Sequence, residues 1–125
     1  MMRVVLIDDH ELVRTGFRMI LGQQPDIEIV GEAPDGERGL ALLRTLAPDI
    51  ALVDVHMPGV SGIEVTERAR RLKLPTRIVI VSMVSEPPFP KRLLEAGASG
   101  YLSKTCTASE LLRAVRQIGD GRRYI

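Results

Sequence analysis

Five short apolar runs recur along the chain: RVVLID at 3–8, IEIVGE at 27–32, DIALVDV at 49–55, RIVIVS at 77–82 and GYLSK at 100–104. Several are continuously apolar instead of alternating, which is the pattern of strands covered on both faces by helices. The segments between them have helical spacing. Leu12, Gly16 and Ile20 recur at four-residue steps beside Val13, Phe17 and Leu21, which predicts one apolar stripe on a first helix. Near the C-terminus Leu111, Leu112, Val115 and Ile118 repeat the pattern, with Thr107 as N-cap, Glu110 at the capping-box position and Gly119 as stop signal. Further helices are expected to begin near Asp35, Ser61 and Pro88. Five βα units follow, and regular alternation of this kind argues for a parallel sheet with right-handed crossovers and helices on both faces.

At 125 residues the chain has the length of one domain, expected to span 1–125. A formal net charge of +1 offers no bulk attraction for nucleic acid, and 3% aromatic residues are too few for base-stacking platforms. No apolar run approaches the ~20 residues needed to cross a bilayer, and the N-terminus lacks the basic and apolar segments of a signal peptide, so a cytoplasmic location without membrane partners is expected. The lone Cys106 reads as an incidental thiol. Arg70, Arg71 and Lys73 read as a solvated helix face.

In open sheets of this kind a ligand sits beyond the carboxyl ends of the strands, where the strand order reverses. The polar residues of this chain gather at those ends. Asp8 and Asp9 close the first run, Asp54 lies near the end of the third, Ser82 closes the fourth and Lys104 the fifth. Converging carboxylates raise one another's affinity for protons, and a hard divalent cation removes that penalty. Mg²⁺ suits the role because it accepts one or two carboxylates and keeps waters that a phosphate can replace. Lys104 and Ser82 bring a cation and a hydroxyl suited to phosphoryl oxygens. Asp54 is the carboxylate placed to act as nucleophile, as in aspartyl-phosphate chemistry.

Taken together, LIDDHELVR, DVHMPGVSGIE, IVIVSM and GASGYLSK resemble the receiver domain of two-component response regulators. DDHELVR and LLEAGASGYLSK are most similar to the NarL/FixJ group, whose receivers precede a LuxR-type helix-turn-helix. SEPPFPKRLLEAGASGYLSK and the ending GRRYI resemble the global activators of the GacA/UvrY type. The resemblance implies a flavodoxin-like (CheY-like) doubly wound sheet of five parallel strands in the order 2-1-3-4-5, with five helices. It implies Asp54 as phosphoacceptor, Asp9 and Asp54 as direct Mg²⁺ ligands, the backbone carbonyl of His56 as a further ligand and Asp8 acting through water. Ser82 and Lys104 are then expected to bind the phosphoryl oxygens, and Ser82 and Tyr101 to form the switch. An upstream histidine kinase or phosphotransfer domain, a phosphorylation-dependent homodimer, and DNA reached only through a C-terminal domain absent from this chain complete the implied partners.

Two positions depart from the common receiver pattern. Met83 stands where a small residue is usual, which is expected to narrow access to Asp54. Thr105 stands where proline is usual, which argues against a cis bond after Lys104, since a non-proline cis peptide costs about 3 kcal/mol. The prolines of EPPFP are expected to shorten or displace the start of the fourth helix. Taken alone, His10 is simplest as the start of the first helix and Tyr101 as a half-buried strand residue. The alternative reading is a Mg²⁺-dependent phosphohydrolase acting on external substrates through Asp54. It is disfavoured because such hydrolases carry an acid two residues after the nucleophile, where this chain has His56. A flavin carrier of the same fold class is disfavoured because Asp8 and Asp9 repel a phosphate in the first loop. No enzymatic turnover beyond phosphoryl acceptance and slow self-dephosphorylation is expected.

Overall fold

The computed structural model describes residues 1–83 and 89–124. Strands β1 (Met2–Ile7), β2 (Ile27–Ala33), β3 (Ile50–Asp54), β4 (Arg77–Ser82) and β5 (Gly100–Ser103) alternate with helices α1 (Glu11–Gly22), α2 (Gly36–Leu46), α3 (Gly62–Arg71), α4 (Phe89–Ala96) and α5 (Ala108–Gly119). The strands form one sheet in the order β2-β1-β3-β4-β5, and every neighbouring pair is parallel. This is the doubly wound arrangement expected from the alternation.

The continuous apolar runs are explained by burial on both faces. In β1, Val4 and Leu6 face one core with Ile50 and Leu52 of β3, where Phe17 and Leu21 of α1 and Leu111, Val115 and Ile118 of α5 cover them. Val5 and Ile7 face the opposite core with Ala51 and Val53, under Leu40 and Leu43 of α2, Val65 and Ala69 of α3 and Leu93 of α4. The inner strands β1, β3 and β4 thus alternate between two interiors, not between interior and solvent.

The predicted N-cap at Thr107 forms, accepting the N–H of Glu110, and the helices expected to begin near Asp35 and Ser61 are capped by those two side chains, which accept from Arg38 and Glu64. Some expectations need correction. Strands β1, β3 and β5 stop one residue short of the predicted ends, leaving Asp8, Val55 and Lys104 just beyond them. Leu12 does not join the buried stripe; it is 88% exposed. Four-residue steps drift by about 40° per step on a helix of 100° per residue, so Leu12 ends up nearly opposite the buried Leu21. Gly119 is the last helical residue, with Asp120 as C-cap and the left-handed conformation at Gly121. Arg70 does more than face solvent, because its guanidinium donates to the carbonyl of Glu95 near the end of α4 at 2.8 Å. The expected effect of EPPFP on the start of α4 rests on residues 84–88, which lie outside the described residues.

After α5 the chain turns back along the sheet. Tyr124 donates its N–H to Ser99 at 3.1 Å, and Tyr101 donates to the carbonyl of Tyr124 at 2.8 Å. A single parallel bridge joins Gly100 and Tyr124.

Candidate functional site

The strand order places β1 between β2 and β3, so α1 leaves the end of β1 in one direction and α3 leaves the end of β3 in the other. The crevice between those two strand ends is the switch point of the fold. Asp8 follows β1 directly, and its backbone N–H donates to Ala33 at 3.0 Å. Its carboxylate turns back to accept the N–H of His10 at 2.8 Å, while Arg14 donates to its carbonyl. Asp54 ends β3, in register with Val81, one residue before Ser82. Gly62 holds the loop after Asp54 tightly. Its N–H donates to Val55 at 3.0 Å, and a Cβ there would lie 2.2 Å from the carbonyl oxygen of Asp54. Lys104 is tied to the same end, its N–H donating to the carbonyl of Ser82 at 2.9 Å.

Asp8, Asp54 and Ser82 are buried, and the Lys104 side chain is 2% exposed. The Lys104 ammonium lies 3.2 Å from Asp8 Oδ2 and 3.1 Å from Asp54 Oδ2. Asp54 Oδ1 accepts the N–H of His56 at 3.3 Å. Asp54 Oδ2 accepts no hydrogen bond although it is fully enclosed, because its contact with Lys104 is an ion pair without hydrogen-bond geometry. Burial, reinforced by the negative charge of Asp8, pushes the Asp54 carboxyl up to about 6 against the pull of Lys104. A buried carboxylate with an open oxygen and a raised proton affinity is held in a costly state, and such a state favours a ligand that restores the lost solvation.

Asp8, Asp9, His10 and Asp54 each present a ligand atom within 4.8 Å of the others. This oxygen-rich set, with the open oxygen of Asp54 among it, fits a hard divalent cation. Asp9 is the more accessible acid, with its side chain 31% exposed. The expected residues Asp8, Asp9, Asp54 and Lys104 are therefore brought together, and Ser82 lies buried at the adjoining strand end. His56 sits in the loop that follows Asp54. Tyr101 lies half-buried on β5, packed against the core beneath α2, α3 and α4. Met83 is 60% exposed. Among the described residues no peptide bond is cis, in keeping with Thr105.

The sequence favours His10 as the start of α1 over a metal role. The structure brings its Nδ1 to 3.1 Å from Asp8 Oδ1, 3.2 Å from Asp9 Oδ1 and 2.8 Å from Lys104 Nζ. Arg14 was not singled out, yet it anchors the Asp8 carbonyl and lies 3.4 Å from Glu32. The signal for His10 was its place immediately after the acidic pair; for Arg14 it was one helical turn of separation from His10.

The sequence pattern of the response regulator receiver domain matches residues 4–116. The chain belongs to this family. As a receiver domain it is similar over its whole length to the response regulator GacA of Pseudomonas aeruginosa, at 43% identity, and to the response regulator UvrY of Escherichia coli K12, at 42%. It spans 58% and 57% of the length of those two relatives. The signal receiver domain of NarL from Mycobacterium tuberculosis superposes with a TM-score of 0.94 at 40% identity, covering 97% of this chain and 98% of that one. The receiver fold and the GacA/UvrY/NarL kinship inferred from the motifs are thereby established.

Proposed function

We propose that this receiver accepts a phosphoryl group on Asp54 and uses it as a signal. The observation that carries the reading is Asp54 Oδ2, enclosed without a hydrogen bond and 3.1 Å from the Lys104 ammonium. An ionised oxygen in that position attacks the phosphorus of a phosphorylated histidine. The new O–P bond forms as the N–P bond breaks, and the departing imidazole keeps the electron pair. Lys104 is placed to hold one phosphoryl oxygen electrostatically, and the hydroxyl of Ser82 to donate to another. Asp9, Asp54 and the carbonyl of His56 are the groups that would hold Mg²⁺ directly, with Asp8 acting through water. When bound, that ion supplies positive charge to the crowded carboxylates and the incoming phosphate.

The donor is a histidine kinase or a phosphotransfer domain, in keeping with the family. The chain is a switch and not a phosphohydrolase with external substrates, a reading supported by His56 standing where those enzymes place an acid. The phosphoryl oxygens draw Ser82 inward, Tyr101 turns toward the vacated space, and the surface around α4, β5 and α5 changes. That surface controls a homodimer and, through a C-terminal helix-turn-helix of the LuxR type, DNA in the cytoplasm. Kinship with GacA, UvrY and NarL supports this output.

Acetyl phosphate with Mg²⁺ is expected to add one phosphoryl group, seen by intact mass, that is absent in Asp54→Asn. An adduct of equal yield in the variant moves the nucleophile elsewhere.

A further inference from the structure

Lys104 behaves in this site as a stand-in cation. Its ammonium touches Asp8 Oδ1 at 3.3 Å, Asp8 Oδ2 at 3.2 Å, Asp54 Oδ2 at 3.1 Å and His10 Nδ1 at 2.8 Å. An ammonium group can only donate, so in the contact with Lys104 it is His10 Nδ1 that accepts. The nitrogen lies among the carboxylates, within 3.7 Å of an oxygen of each of Asp8, Asp9 and Asp54. Nothing in the helix requires it there. His10 is the N-cap of α1, but its side chain makes no capping hydrogen bond, and its backbone N–H is satisfied by Asp8.

The spacing also suits coordination. Donors cis to one another around an octahedral cation with bonds of about 2.1 Å lie about 3.0 Å apart. His10 Nδ1 is 3.1 Å from Asp8 Oδ1 and 3.2 Å from Asp9 Oδ1. Its 3.7 Å separation from Asp54 Oδ2 falls between the cis and trans distances. The nitrogen thus stands at about cis-donor spacing from Asp9 Oδ1 and beside Asp8 Oδ1.

We propose that His10 is a nitrogen ligand of the divalent cation in this site, and that it biases the protein toward metals that accept imidazole. The proposal rests on the reading of the cluster as a cation site and adds a ligand to it. Mg²⁺ is a hard ion served by oxygen alone, whereas imidazole favours later first-row metals such as Ni²⁺. Ligation also frees Lys104 from its contact with His10, leaving the ammonium to the carboxylates and to an incoming phosphate.

The test loads the protein with Mn²⁺ and reads electron spin-echo envelope modulation. Wild type is expected to show ¹⁴N coupling, lost in His10→Gln and retained in His56→Gln. In calorimetric titrations the ratio of Ni²⁺ to Mg²⁺ affinity is expected to fall by roughly tenfold or more in His10→Gln. Circular dichroism establishes that the variants are folded. Absence of ¹⁴N coupling in wild type, its loss in His56→Gln instead, or an unchanged ratio overturns the assignment of His10 while leaving the Mg²⁺ site intact. Failure of wild type to bind either titrated cation overturns both readings.

Discussion

At the N-terminal ends of the strands, Arg116 pairs with Asp26 at 3.1 Å, Arg3 donates to the carbonyl of Leu46 at 2.7 Å, and Arg77 donates to the carbonyl of Ile118 at 3.0 Å. At the C-terminal ends, Asp8, Asp54 and Lys104 share a space from which water is largely excluded, and one carboxylate oxygen is left without a hydrogen bond. The first end also opens into a recess of about 640 Å³ lined by Asp26, Asp49, Arg77 and Arg116 among others. The charges at this end are matched, and the chemistry lies where they are crowded. The two aspartates show the difference directly. Arg116 holds Asp26 below its ordinary carboxyl value, whereas burial and Asp8 lift Asp54 above it. Paired surface charge tunes a scaffold; enclosed like charge stores the free energy a ligand can release.

The largest change comes from disturbing the scaffold that encloses the nucleophile. Gly62→Ala places a Cβ 2.2 Å from the Asp54 carbonyl oxygen and 2.9 Å from Val55 Cα, both backbone atoms that cannot turn aside. A loss on the order of 3 kcal/mol or more is expected in urea denaturation, since overpacking against backbone has no rotamer to relieve it.

Removing the crowding itself has the opposite sign. Asp54→Asn is expected to stabilise the metal-free protein at pH 7.5 by roughly 1–3 kcal/mol, because a shift from 3.8 to about 6 makes the ionised carboxylate costly in the folded state. A carboxyl lifted by folding favours the folded state below its ordinary value and loses that advantage as pH rises through about 6. The advantage of the variant should therefore shrink as melts are taken from pH 7.5 toward pH 5. Added Mg²⁺ should raise the melting temperature of wild type more than that of the variant. A constant advantage at every pH would show that Asp54 is not strained.

The smallest effect is expected at the other end. Arg116→Ala removes an exposed ion pair, and its thermal melt should match wild type within error, with Mg²⁺ binding unchanged. A change in Mg²⁺ affinity would erase the distinction between the two ends.

The strands, the helix starts near Asp35 and Ser61, the N-cap at Thr107, and the gathering of acids at strand ends were legible in the sequence because each depends on local pattern or on the parallel topology. Leu12 was misplaced because counting in fours ignores the drift of a helix, and its 88% exposure shows the error. His10 and Arg70 were underestimated for a different reason. Their partners, Lys104 and Glu95, are distant in sequence and are brought close only by the fold. GRRYI was recognisable as a family ending, but its return to β5 depends on where α5 ends.

That return gives the sheet two unlike rims. An edge strand ordinarily offers a row of open backbone groups to another chain. On β5 the first positions are already engaged, with Tyr101 donating to Tyr124 and Tyr124 to Ser99. Gly100 permits the contact, since a Cβ there would lie 2.9 Å from the Tyr124 carbonyl and 2.6 Å from Ile118 Cδ1. What is left of the rim, Leu102 and Ser103, is short. The longer open rim runs along the seven residues of β2 at the opposite side of the sheet.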